Sequence, residues 1–202
     1  MRLVLALVLV LVLGAVEARA GSGFDHYVLA LSWTPGWCER EGAERGDPSC
    51  APGAGSGWQV HGLWPQHEEG WPEFCTTAAR DPSRRQTRDM ADIMGSAGLA
   101  WHQWRKHGRC SGLNARAYFA KTREAFGRVA LPEPEVVTAE ELAEALIAAN
   151  PGLEEGQFIV TCSAGRLAEL RLCLTPWLTP RDCNADVLDR ACRGALEVDP
   201  RP

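Results

Sequence analysis

Eight cysteines, at positions 38, 50, 75, 110, 162, 173, 183 and 192, constrain this chain more than any other feature. All of them follow an N-terminal stretch in which Arg2 precedes an unbroken apolar run, Leu3 to Leu13, and then Ala18-Arg19-Ala20. A basic tip, a short apolar run and an A-x-A site read as a secretory signal peptide over residues 1–20, cut after Ala20, with one domain over residues 21–202. The run is shorter than the roughly 20 apolar residues that span a bilayer. No later stretch approaches it, so no membrane insertion is expected once the signal is removed. An even cysteine count behind such a signal implies a disulfide framework formed in an oxidising compartment, secreted or periplasmic. No C-x-x-C pair exists and the spacings are wide and irregular, which argues against zinc held by cysteine. The count does not choose among the possible pairings.

Without the first 20 residues the chain holds 19 basic and 25 acidic residues. Bulk charge therefore does not carry it onto nucleic acid, and an anionic substrate needs a local cationic pocket. Apolar runs place strands over residues 26–33, 58–61, 158–162 and 167–174. In the last of these Leu170, Leu172 and Leu174 alternate with Glu169, Arg171 and Cys173, and the break at Ala164-Gly165 predicts a hairpin. Between the first and second pairs of strands lies a helical zone. Residues 87–94 are weakly helical and stop at Gly95. Residues 99–107 form a short helix that ends at Gly108, taken as its C-cap glycine. Residues 114–126 follow, with Asn114 as N-cap and Gly127 as stop. Residues 138–149 carry a Thr138/Glu141 capping box and a stripe of Leu142, Ala145, Leu146 and Ala149. Residues 42–57, 66–82 and 175 onward read as loops. Strands at both ends with helices between them predict an α+β fold, a largely antiparallel sheet packed with helices in a single disulfide-stapled domain.

Two segments concentrate histidine: His61-Gly62-Leu63-Trp64-Pro65, and Trp101 through Cys110, which reads WHQWRKHGRC. As a helix the second stacks His102 on Lys106 and Gln103 on His107, giving one polar patch. Trp101 and Trp104 fall on the opposite side, as anchors in the core. Lysine offers a point positive charge and imidazoles exchange protons near neutral pH, which suits an anion whose charge grows during reaction. In phosphoryl transfer where the substrate's own 2′-hydroxyl attacks, neither a metal nor a protein nucleophile is needed. His61, on a separate strand, supplies the second proton-transfer group. A three-histidine zinc site is the rival, but a lysine beside the ligands repels Zn²⁺ and there is no H-E-x-x-H pattern. Trp64 reads either as core or as a platform that stacks a base. His26 and His67 carry no signal.

These two segments resemble the signature segments of the ribonuclease T2 family, secreted ribonucleases that cleave RNA without metal through a 2′,3′-cyclic phosphate. Residues 27–35, YVLALSWTP, and 167–173, LAELRLC, resemble family strands, so the likeness runs from about Phe24 to Cys192. The resemblance implies His107 as general base, His61 as general acid, Lys106 on the charged transition state, His102 on the phosphate, and Trp64 stacking the base 5′ to the scissile bond. It implies the disulfides Cys38–Cys50, Cys75–Cys110, Cys162–Cys192 and Cys173–Cys183, an RNA substrate but not DNA, no cofactor or metal, and a monomer. Gln103 departs from the pattern, because the family usually has glutamic acid there; glutamine can donate through its amide but cannot titrate. Arg109 departs too, at a position often Thr. Gln103 motivates a second hypothesis, a catalytically weakened RNA-binding protein on the same scaffold. Turnover that rises from near zero in Gln103→Glu would favour it.

Overall fold

The computed structural model describes residues 23–54, 57–134 and 138–201. The signal peptide expected over residues 1–20 lies outside the described residues. Four strands, β1 (His26–Trp33), β2 (Trp58–Gln66), β3 (Phe158–Ser163) and β4 (Arg166–Leu174), form one antiparallel sheet in the order β2-β1-β4-β3. Among the described residues seven helices accompany it: α1 (Thr34–Trp37), α2 (Arg84–Arg88), α3 (Ala91–Met94), α4 (Ala97–Lys106), α5 (Ala115–Gly127), α6 (Ala139–Ala149) and α7 (Ala185–Leu188). The expected α+β architecture with an antiparallel sheet is the one observed.

Strand alternation separates two apolar faces. Tyr27, Leu29, Leu31 and Trp33 of β1 and Leu170, Leu172 and Leu174 of β4 join Met90, Trp104, Tyr118, Leu142 and Leu146 in the main core beneath the helices. Val28, Ile159 and Cys173 point the other way, into a small cluster closed by Cys183 and by Val187 of α7. Four disulfides join Cys38 to Cys50, Cys75 to Cys110, Cys162 to Cys192 and Cys173 to Cys183.

One irregularity in β2 positions the site. Gly62 pairs with Ala30 and Val60 with Leu31, so His61 has no partner on β1. This extra residue is a β-bulge. It resets the alternation: Val60 and Leu63, an odd number of residues apart, both enter the main core. His61 and Trp64 are left on the opposite side. A second bulge lies in β4, where Glu169 pairs with Thr161 and Leu167 with Cys162, skipping Ala168.

Several local expectations need correction. β2 runs on to Gln66 rather than stopping near His61; as an edge strand it tolerates Pro65 within it. Thr34-Pro35-Gly36 ends β1 but opens α1, which continues through a π-turn at Cys38–Gly42, and Pro48–Cys50 is a 3-10 turn inside the expected loop. The weak helix is two helices: α2 starts earlier, behind a Ser83/Gln86 capping box, and α3 ends at Gly95 with φ +77°. In α6 the Thr138/Glu141 box is present, but Ala145 and Ala149 face solvent, and Ala139, Leu142 and Leu146 are the buried positions. α7 lies in the expected C-terminal loop, capped by Asn184.

Candidate active site

α4 is capped by Ser96, whose side chain accepts from the Leu99 amide, and ends at Lys106 with His107 as its C-cap. Gly108 is not the left-handed cap expected of it. It starts a 3-10 turn, Gly108–Ser111, and a Cβ there would lie 2.5 Å from the Trp104 ring and 2.9 Å from Tyr118. Trp104 is the core anchor of the helix, with Nε1 donating to Asp81. Trp101 is not an anchor: it is 38% exposed. The carbonyl of Lys106, left without a partner inside the helix, accepts from the Phe74 amide at 2.8 Å. Next along that loop, Cys75 is bonded to Cys110 just beyond His107.

α4 packs beside the free edge of the sheet, so its polar row meets the bulged part of β2. His61, Trp64, His102, Gln103, Lys106 and His107 all line one cleft of about 230 Å³, which Trp71, Arg171 and α7 complete. Trp64 is its hub. Its ring lies 5.3 Å from His107, stacked at 30°, and 5.2 Å from His61, edge-on at 79°. Its Nε1 donates to Gln103 Oε1 at 2.8 Å. The guanidinium of Arg171 sits 5.3 Å over the same ring. Gly62 makes this approach possible, because a Cβ there would lie 2.3 Å from both Gln103 Oε1 and Trp64 Nε1. Gln103 thus serves as an acceptor for the indole, a role that does not require it to titrate.

The two imidazoles experience opposite surroundings. His107 is buried and its Nδ1 has no hydrogen-bond partner among the described residues. Burial first, then the charges of Lys106, His61 and His102, lower its pKa to about 3. His102 is lowered by burial and then by Lys106, His61 and Arg105. His61 instead places Nδ1 2.6 Å from Glu169 Oε1. Burial alone would raise the Glu169 carboxyl, yet the His61 contact and Arg171 outweigh it and bring its pKa down to about 2. Lys106 lies 3.4 Å from Glu73 on the preceding loop, so its charge is shared in this state. Among the described residues no group of three or more His, Cys, Asp or Glu side chains is placed to hold a metal ion. No helix among them is long and apolar enough to cross a membrane.

Residues 24–183 match the model of the ribonuclease T2 family. The chain belongs to this family. It is 42% identical over 101 residues to a ribonuclease of Aeromonas hydrophila, covering 50% of this chain and 44% of that protein. It is 33% identical over 126 residues to a probable ribonuclease of Haemophilus influenzae, covering 56% and 46%. The chain thus spans less than half the length of each of these two relatives. The fold is shared with RNase NT, solved in complex with 5′-AMP, which superposes with a TM-score of 0.65 at 22% identity over 88% of this chain and 98% of that one.

Glu169, Arg171 and Trp71 are site residues that no motif in the sequence singles out. The alternation of β4 places Glu169 and Arg171 on the face opposite Leu170, and that was legible. Their meeting with His61 depends on strand order, which was not.

Proposed function

We propose that this protein is an endoribonuclease that cleaves single-stranded RNA by attack of the 2′-hydroxyl on the adjacent phosphorus. The 2′,3′-cyclic phosphate it forms is then opened to a 3′-phosphate. One observation carries the reading: two imidazoles of opposite character flank a single indole in one cleft, one buried beside cations and one bonded to a carboxylate. His107, buried and kept neutral, suits the part of base, and His61, hydrogen-bonded to a carboxylate, the part of acid.

His107, held neutral, takes the 2′-hydroxyl proton as the 2′ oxygen bonds to phosphorus. The bond from phosphorus to the 5′ oxygen breaks, and His61 gives its proton to that oxygen. Lys106 leaves Glu73 for the non-bridging oxygens as their charge grows, and His102 holds the phosphate. An anionic phosphate among these cations offsets their repulsion and raises the proton affinity of His107 when it is needed. In the second stage the roles reverse: His61 takes a proton from water, and His107 returns one to the departing 2′ oxygen. Trp64 and the half-exposed Trp71 give a base its aromatic walls. The chemistry needs no metal, because the nucleophile belongs to the substrate and the cations belong to the protein. The family, and the nucleotide bound in RNase NT, support RNA as the substrate. The amino-terminal segment supports a secreted or periplasmic location.

The test is a short single-stranded RNA digested in excess EDTA, beside the same strand carrying one 2′-deoxy nucleotide and beside DNA. Cleavage is expected at every step of the RNA except the one 3′ to the deoxy sugar, and nowhere in the DNA. Cleavage at the deoxy position, or none of the RNA, overturns the reading.

A further inference from the structure

We infer that Glu169, gripped by Arg171, is a positioning residue that holds the His61 ring with a proton on Nδ1 and turns its other nitrogen into the cleft. The inference rests on the ribonuclease reading of the site and deepens it, since that reading uses the His61 contact but does not say what holds the ring in place.

The sheet explains how the contact forms. β1 lies between β2 and β4, so a side chain from β2 reaches β4 only where β1 is small. On this face β1 presents Ala30, paired with both Gly62 and Arg171, and Ser32, paired with both Gln59 and Glu169. His61 crosses over that row to Glu169 at 2.6 Å. The bulge at His61 and the bulge at Ala168 lie at the two ends of this contact.

The carboxylate is fixed from every side. Arg171 donates Nε and Nη2 to Oε2 at 2.8 and 2.7 Å, and Ser32 donates to Oε1, the oxygen that meets His61, at 3.3 Å. Glu169 itself is buried, while the His61 side chain is 37% exposed. A buried carboxylate with three donors besides the imidazole has little freedom to turn away. It accepts only, so the imidazole nitrogen facing it must carry the proton. The charged groups facing His61 are the Glu169 carboxylate with Arg171 behind it on β4, and His102, His107 and Lys106 on α4, the last paired with Glu73.

The experiment follows kcat/KM for a dinucleotide substrate against pH in the wild type, Glu169→Gln and Arg171→Met. In parallel, NMR of ¹⁵N-labelled histidine follows the protonation of the His61 ring without substrate. Removing the carboxylate is expected to move the alkaline limb of the rate profile, and the midpoint of the His61 ring titration, to lower pH, because a negative charge beside the ring is lost. Removing the guanidinium is expected to move both to higher pH. Opposite shifts from two neighbouring substitutions are not what general loosening of β4 produces. Should Glu169→Gln not fold, Arg171→Met and the wild-type ring spectrum, with its proton on Nδ1, still decide the matter. Unchanged limbs and midpoints, or a wild-type ring protonated on the other nitrogen when neutral, overturn the inference. If the wild type cleaves no RNA but the ring titrations move as described, the ribonuclease reading fails while the positioning contact stands.

Discussion

His107 ties the stability of the fold to pH in a way that can be measured without any substrate. Its pKa falls from 6.5 to about 3 in the folded protein, through burial and then through Lys106, His61 and His102. Between those values the unfolded chain binds a proton that the folded chain refuses. The stabilisation is therefore complete above pH 6.5 and is lost as pH falls toward 3. From pH 8 to pH 5 the loss through this one group is about 2 kcal/mol, and the full shift corresponds to about 5 kcal/mol. His102 and His26 are lowered as well, so the wild-type slope is steeper than His107 alone would make it. Glu169 enters only below its ordinary 4.5, on the way to about 2. Replacing His107 with phenylalanine keeps a ring against Trp64, removes the titrating group and leaves the others in place. Urea unfolding of both proteins, disulfides intact, separates the contributions. The wild-type midpoint should fall by roughly 1 M more than the variant's between pH 8 and pH 5, for a slope of about 2 kcal/mol per molar. Parallel loss in the two proteins would refute the assignment of a buried, neutral imidazole at this position.

Two further outcomes follow from the way the cleft is held together. In Gly62→Ala the new methyl meets Gln103 Oε1 and Trp64 Nε1 at 2.3 Å and parts that hydrogen bond. About 2–4 kcal/mol of stability should be lost, with a fall in kcat of about a hundredfold as both imidazoles lose their common support, measured by urea unfolding and by RNA cleavage. The Cys75–Cys110 bridge closes a separation of 35 residues and ties the Glu73–Phe74 loop to the end of α4. Replacing both cysteines with alanine should cost about 4 kcal/mol by loop entropy and weaken substrate binding more than the equivalent change at Cys38–Cys50, which lies away from Lys106.

Much of this architecture could be read from residue order, and the failures have physical causes. β1, β3 and β4 carry short apolar or alternating runs, and α5 and α6 carry their own caps at Asn114 and Thr138, so local chemistry defines them. The strand signal of β2 fades at His61 because a strand holding Gly62 and Pro65 breaks local preference, and only its place at the sheet edge allows it. The bulge at His61 could not be foreseen, since parity along a strand has meaning only against a partner. Six side chains of the cleft lie in two compact segments, within reach of helical periodicity and motif reading. Glu169 and Arg171 lie more than 100 residues after His61 and meet it through strand order, and Trp71 arrives through a loop held by its neighbours. Trp101 misled because both tryptophans fit an anchoring face, while the core accepts only Trp104.

The most direct measurement of the central claim is ³¹P NMR of a short RNA digested in excess EDTA by the wild type, His61→Ala and His107→Ala. The wild type should give a 2′,3′-cyclic phosphate signal that decays into a 3′-phosphate, and neither variant should give it at an appreciable rate. Wild-type rates in both variants, or 5′-phosphate ends from the unaltered protein, would contradict the two-imidazole account.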